Sequence, residues 1–393
     1  MKIIKQRSRV TPRHHRNLGP NAPLIGKPRS RQALATPALI LDLDGFEHNL
    51  AAMSALCERA GLKLRPHAKT HKSVEIARRQ IGAGAVGISV ATLREATVMV
   101  EAGIPGVLLT TPLTGAVKID LLARLVGRSD GFMAAIDDPA SLAPLERALE
   151  RRRRRLPVLV DIDIGMRRTG VPDVAGALEL IRRVSSSRRL QFAGIQSYSG
   201  MVQHITRAAD RARVYGRQLE HVKRVLKAAA KAGQAPGIVS GGGTGTFDID
   251  RRAGLFTECQ CGSYAVMDVE YQDVELFARG PHPFKTALFV QCSVVSNHHR
   301  RLPTIDGGFK CFSMDGPIPE IASGAPRGAS YQFYGDEFGK IKLTAESAGM
   351  RLGAKVELVT PHCDPTLNLH DFIHCVRGQT LVDIWPVDAR GSL

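Results

Sequence analysis

Aromatic residues are scarce, 5% of the chain with a single tryptophan, and they do not interleave with its basic blocks. A binder of single-stranded nucleic acid stacks bases on such rings, so this distribution disfavours that class. Cysteine is sparse as well: seven residues, an odd number, with no CxxC spacing. A disulfide framework and a structural zinc site are thereby disfavoured, and a reducing cytoplasm is expected. No stretch approaches the ~20 consecutive apolar residues of a membrane span. The opening MKIIKQRSRVTPRHHR develops no apolar centre of the secretory type. Acidic residues are missing altogether from residues 1–32, which hold nine basic ones: Lys2, Lys5, Arg7, Arg9, Arg13, Arg16, Lys27, Arg29 and Arg31. That segment accounts for nine of the seventeen net positive charges. Residues 1–35 therefore read as a loose basic tail, which makes the charge a poor argument for a nucleic-acid partner. A second basic block, Arg151 to Arg155, follows a helical pattern beginning near Ser141, where cations complement the helix macrodipole.

At 393 residues, 44% hydrophobic and 23% charged, the chain exceeds the ~250–300 residues that one core usually serves. Apolar, β-branched runs recur from residue 36 onward. PALILDLD at 37–44 comes first. Eight more follow: LKLRPHAK at 62–69, VGISVA at 86–91, GVLLTT at 106–111, GFMAAID at 131–137, LPVLVDID at 156–163, QFAGIQSY at 191–198, PGIVSGGG at 236–243 and ECQCGSYA at 258–265. Amphipathic helical patterns lie between them. Buried strands alternating with such helices imply a parallel sheet, and eight repeats imply a (β/α)8 TIM barrel over residues 36–272. Beyond it, short strand-like runs joined by Gly and Pro turns predict a C-terminal all-β domain over residues 273–393. The strand at 37–44 precedes the eight and is a candidate partner for that second domain.

Chemistry in such a barrel sits at the C-terminal ends of its strands. Those ends are polar or glycine-rich here: PHAKTHKS, DIDIGMRRTG, QSYSGMVQH, SGGGTGT and CGSY. The glycines of Ser240–Thr246, with Gly262, Ser263 and Tyr264 after the next strand, suit a two-loop cradle for a phosphate. The GxxxxGK[ST] spacing of a nucleotide P-loop is absent. Lys69 stands among Arg65, His67, His71 and Lys72, and such crowding is expected to lower its pKa and make it nucleophilic toward carbonyls. A reactive lysine and a phosphate cradle in one barrel mouth describe a pyridoxal phosphate site. Arg168, after Asp161 and Asp163, could meet the cofactor's phenolic oxygen, a substrate carboxylate or a neighbouring aspartate. In PHCDPT, an extended strand would point His362 and Asp364 to one face and Cys363 to the other. Completed by water or substrate, that pair suits Mn²⁺ or Mg²⁺, with Zn²⁺ less favoured.

The ordered motifs RPHAKTHKS, DIGMRRTGV, GIQSYSGMVQH, SGGGTGT, CGSYAVMDVEY and PHCDPTLNLHD resemble the D-threonine aldolase and D-serine dehydratase-like family. Its members are fold-type III pyridoxal phosphate enzymes with an alanine-racemase-like barrel. The resemblance runs from about residue 36 to residue 391. It implies that Lys69 carries the cofactor covalently, that Arg168 contacts the ring near O3′, and that Tyr198 and Tyr271 surround it. Gly243, Thr244, Gly245, Gly262, Ser263 and Tyr264 match the region of the phosphate grip. His204 matches the histidine that exchanges a proton with the β-hydroxyl, which completes a catalytic set of Lys69, His204 and Arg168. His362 and Asp364 match the metal pair. Aldolase members resemble HxD at that pair and dehydratase members HxC, so this chain is expected to be an aldolase.

The implied activity is retro-aldol cleavage of a D-3-hydroxy amino acid, D-threonine or 3-hydroxy-D-aspartate, to glycine and an aldehyde by a homodimer. The alternative on the same scaffold is a D-serine or 3-hydroxyaspartate dehydratase. A metal-independent racemase and a non-catalytic pyridoxal- or nucleic-acid-binding protein are the remaining readings.

Overall fold

The computed structural model describes residues 18–391. After β1 (Ala38–Asp42) come β2 (Lys63–Leu64), β3 (Ser89–Val90), β4 (Leu108–Leu109), β5 (Met133–Ile136), β6 (Leu156–Ile162), β7 (Leu190–Ser197), β8 (Ile238–Gly241) and β9 (Glu258–Cys259). The last eight form one parallel sheet in the order β2-β9-β8-β7-β6-β5-β4-β3. A parallel bridge between His67 and Ser89, with the Val86 N–H donating to Leu64 O at 2.8 Å, joins β2 to β3 and closes the barrel.

Local sequence explains the wrapping. The helix Ala208–Lys231 buries Tyr215, Leu219, Val222, Val225 and Ala229, spaced three or four residues apart on one stripe. It stops where Gly233 takes φ +73°, a left-handed value that favours glycine. Helices begin on side-chain caps: Asp42 accepts from Gly45 N–H and Asp173 from Gly176 N–H. No helix among the described residues is long and apolar enough to cross a membrane. All seven cysteines are buried and none is joined in a disulfide.

The C-terminal domain is a nine-stranded sheet. It comprises β1 with β10 (Leu288–Ser296), β11 (Thr304–Ile305), β12 (Glu320–Ser323), β13 (Ser330–Phe333), β14 (Gly339–Lys342), β15 (Lys355–Val359), β16 (Phe372–Arg377) and β17 (Thr380–Pro386). β1 lies between β10, antiparallel, and β16, parallel, with Leu39 opposite Val290 and Ile40 opposite His374. The strand before the barrel thus belongs to the sheet that follows it.

The loose tail expected over residues 1–35 needs correction from residue 18 onward. Arg31 makes a bidentate pair with Glu357 at 2.7 Å through both bonds. Gly26 N–H donates to Leu381 O, Ser30 Oγ accepts from Leu381 N–H, and Leu34 packs with Ile40, Val376 and Ile384. Basic composition concealed this because the apolar and capping residues that anchor the segment are few and interspersed. The expectation for residues 1–17 lies outside the described residues.

The two domains meet behind β9. Val269 N–H donates to Thr360 O at 3.0 Å and Glu270 N–H to Pro361 O at 3.2 Å. This pairing carries the end of the barrel to the segment holding His362 and Asp364.

Candidate active site

Lys69 lies just beyond β2, in the single turn Ala68–Thr70. Its Nζ pairs with Asp364 Oδ2 at 2.7 Å. The lowered pKa expected from crowding is overturned: the Asp364 charge raises the ammonium against the opposing pull of burial. The cationic neighbours are neutralised. Arg65 is buried in a bidentate pair with Glu258 at 2.7 and 2.9 Å, and Lys72 pairs with Glu95 at 2.5 Å. Burial holds His67 well below its usual range and His71 at about 4, so both imidazoles are neutral. Burial would raise the Asp364 carboxyl, but Lys69 and His362 outweigh it and hold it well below the ordinary carboxylate range.

The strand geometry expected for His362 and Asp364 is also replaced. His362 is the last extended residue, φ −135° and ψ 122°, and the helix Cys363–Asn368 begins directly after it. Both side chains still meet the site, from different backbone settings: Asp364 faces Lys69, while His362 Nδ1 lies 2.8 Å from Asp315 Oδ2. The segment is clamped by Asp268, wholly buried, whose Oδ1 accepts from Tyr271 N–H and Oδ2 from Cys363 N–H at 2.8 Å. Burial raises the Asp268 carboxyl to about 6.

His204 Nε2 stands 3.3 Å from Glu270 Oε2, and its ring meets that of Tyr271 edge-on at 4.7 Å between centroids. Its ring centroid is 6.4 Å from that of His362. Burial first, then the charges of His362 and Lys69, lower His204 to about 4, so it is a neutral base at neutral pH. Burial raises Glu270 to about 7, with His362 opposing. Arg168 lies with its guanidinium 5.5 Å from the Tyr198 ring centroid. The nearby aspartates have other partners: Asp161 accepts from Thr169 Oγ1 at 2.8 Å and Gln196 Nε2 at 3.1 Å, and Asp163 accepts from Gly165 N–H.

Across the mouth, the loops after β8 and β9 interlock. Gly242 takes φ +68°, and a Cβ there would stand 2.2 Å from Asp250 Oδ2. A Cβ on Gly262 would stand 2.5 Å from Thr70 Oγ1, a buried hydroxyl without a partner. Gly243 N–H is engaged by Thr246 Oγ1, Gly245 N–H by Gln203 Oε1, and Tyr264 N–H by Thr244 Oγ1. The Tyr264 ring is buried in the core, its hydroxyl near Gln80 Nε2 at 3.4 Å. The N–H groups of Thr244, Gly262 and Ser263 donate to no protein acceptor among the described residues. A crowded glycine cradle with unengaged donors, facing a lysine, fits pyridoxal phosphate. Among the described residues no three His, Cys, Asp or Glu side chains converge as a ready-made metal cage. One imidazole and one carboxylate with further positions open still fit an oxygen-preferring divalent ion.

Sequence reasoning overlooked Asp268, Glu270, Asp315 and Gln203. Asp268 and Glu270 stand within CGSYAVMDVEY and Gln203 adjoins His204, so proximity to a motif was the available signal. Asp315 had none.

Comparison with known proteins agrees with this fold. Residues 41–269 match the alanine racemase N-terminal domain family and residues 287–376 a putative serine dehydratase domain. The chain is 37% identical to a D-threonine aldolase of Arthrobacter sp over 366 residues, 93% of this chain and 95% of that one. It is 34% identical over 363 residues to a 3-hydroxy-D-aspartate aldolase of Paracoccus denitrificans (strain Pd 1222), covering 91% and 93% of the two chains. The crystal structure of D-threonine aldolase from Filomicrobium marinum superposes with a TM-score of 0.87 at 37% identity, covering 91% of this chain and 96% of that one.

Proposed function

The chain belongs to the alanine racemase N-terminal domain family, and from that premise we propose that it is a pyridoxal phosphate-dependent aldolase. Its substrate is a D-3-hydroxy amino acid of the D-threonine or 3-hydroxy-D-aspartate type, cleaved to glycine and an aldehyde. The observation that carries this reading is the Lys69–Asp364 pair at 2.7 Å. It sets the residue that would anchor the cofactor against the carboxylate that would hold a metal.

Pyridoxal phosphate, when bound, supplies a conjugated ring that accepts the electron pair released at Cα. Lys69 would hold it covalently, the Thr244, Gly262 and Ser263 N–H groups would grip its phosphate, and Arg168 and Tyr198 would flank its ring. A divalent ion on His362 and Asp364, Mn²⁺ or Mg²⁺ before Zn²⁺, would acidify a hydroxyl that it touches. With Lys69 engaged by the cofactor, Asp364 would otherwise keep a buried negative charge without its cation. His204, neutral at pH 7, would take the β-hydroxyl proton, with Glu270 Oε2 3.3 Å from its Nε2. A carboxylate at position 364, where a thiol would suit zinc, favours the aldolase over the dehydratase alternative.

A cytoplasmic homodimer completes the reading. Seven buried thiols that form no disulfide suit a reducing compartment, and the exposed side chains of Met201 and Met314 beside the site suit cover by a second subunit. The test is product identification after incubating the pure protein with D-threonine and 3-hydroxy-D-aspartate, with and without Mn²⁺. Glycine and an aldehyde support the aldolase. Ammonia and a keto acid would assign a dehydratase, and chelator-insensitive racemisation a racemase.

A further inference from the structure

Asp268 opens the turn Val269–Gln272 and is wholly buried. Its Oδ1 caps that turn by accepting from Tyr271 N–H at 3.2 Å. A cap of this kind needs one acceptor, which serine, threonine or asparagine supplies without a charge. Burying a carboxylate is costly, and its second oxygen shows what it adds. Oδ2 crosses to the other domain and accepts at 2.8 Å from the N–H of Cys363, the residue between His362 and Asp364.

The Thr360 and Pro361 carbonyls already accept from the Val269 and Glu270 N–H groups, but that pairing stops short of His362. Asp268 carries it past the histidine to the first residue of the helix Cys363–Asn368. From there Asp364 faces Lys69 at 2.7 Å, while His362 Nδ1 stays beside Asp315 and 3.9 Å from Glu270. On the barrel side, the same carboxylate holds Tyr271, whose ring packs edge-on against His204. Two ligands on either side of one N–H keep their spacing only if that N–H is held. With so few protein ligands, affinity for an ion depends on how well they are placed beforehand.

Resting on the metal-dependent aldolase reading, we propose that Asp268 is a positioning residue for the His362–Asp364 pair. It acts through the Cys363 N–H and fixes the pair against the barrel mouth.

The experiment measures Mn²⁺ binding to the cofactor-loaded protein from the electron paramagnetic resonance signal of free Mn²⁺. Asp268→Asn keeps the size but sets an amide donor against one of the two N–H groups. Its Mn²⁺ Kd should rise ~10- to 100-fold, with the visible absorbance of bound cofactor retained. Glycine formation should recover to within about threefold at saturating Mn²⁺, a shift in metal requirement and not in kcat.

A second pair of variants tests the N–H itself. Cys363 is the first helical residue and His362 before it is extended, φ −135° and ψ 122°, so proline is compatible there. Cys363→Pro should weaken Mn²⁺ by the same ~10- to 100-fold, and Cys363→Ala, which keeps the N–H, by no more than about twofold. Added to Asp268→Asn, Cys363→Pro should cost no more than about a further twofold, because both changes break one hydrogen bond. A Mn²⁺ Kd of Asp268→Asn within about twofold of the unaltered protein overturns the proposal. Should that variant fail to fold by circular dichroism, equal Mn²⁺ affinity of Cys363→Pro and Cys363→Ala overturns it alone. An unaltered protein that binds no Mn²⁺ removes the metal pair and the positioning role together. The expected Mn²⁺ shifts without glycine would support the positioning role while removing the aldolase reading.

Discussion

Lys69 Nζ and Asp364 Oδ2 stand 2.7 Å apart, one from the first barrel strand's end and the other from a short helix of the C-terminal domain. The pair ties the two domains across the site, and the Lys69 ammonium compensates the buried Asp364 carboxylate. The lysine proposed to anchor the cofactor and the carboxylate proposed to hold a metal are thus linked to each other. Without the pair, the barrel and the sheet domain would each hold half of a site.

Replacing Lys69 with Ala should abolish the visible absorbance of lysine-bound cofactor and lower glycine formation by at least about 10³-fold. It also strips Asp364 of its ammonium partner, so the Asp364 carboxyl should rise toward the ordinary range. Retained absorbance in Lys69→Ala would refute the lysine assignment. Asp364→Ala should lose activity together with its metal dependence, and full turnover of that variant in chelator would sink the metal pair.

His204→Ala should lower kcat by ~10²–10⁴-fold, the usual contribution of a positioned proton acceptor. Because burial and its neighbours place His204 at about 4, its basic form predominates from neutral pH down to roughly pH 5. The rate profile of the unaltered enzyme should show no loss from this group in that window. Unchanged kcat in His204→Ala would remove the histidine from the reaction.

Gly262→Ala places a methyl 2.5 Å from Thr70 Oγ1 and 3.0 Å from His67 O. Overpacking of that kind costs about 1–3 kcal/mol of folding stability and shifts the loop that carries the Gly262 and Ser263 N–H groups, so cofactor affinity should weaken. An absorbance titration with pyridoxal phosphate measures this, and circular dichroism verifies that the variant is folded. Unaltered affinity would place the phosphate elsewhere.

Asp250, fully buried beneath the glycine loop, accepts from Thr246 Oγ1 at 2.8 Å, and burial raises its carboxyl to about 7. A raised carboxyl binds its proton more tightly in the folded than in the unfolded chain. Its stabilising effect is therefore present below about pH 4 and is lost as pH rises through about 7, an effect on the order of a few kcal/mol. Asp250→Asn removes that titration. The thermal midpoint of the variant minus that of the unaltered protein should grow between pH 5.5 and pH 8, and parallel profiles would contradict the raised value.

Strand positions, barrel closure and the polar strand ends were legible in the chain because buried parallel strands and amphipathic helices have different periods. Site membership was legible where a motif carries several residues at once, as in SGGGTGT or PHCDPT. Asp315 was not, because a single carboxylate in a loop outside every motif has no spacing to betray its partner. The packing of residues 18–35 was hidden behind their charge.

The sequence by itself determined an α/β barrel, a following β domain and a set of reactive side chains, since local pattern and residue chemistry are properties of the chain. Only the tertiary structure decided which charges cancel. Arg65, Lys72 and Lys69 look alike as neighbours in sequence, yet Glu258, Glu95 and Asp364 reach them from distant segments. Charge state depends on distance and burial, and both are set by how the chain folds back on itself rather than by order along it.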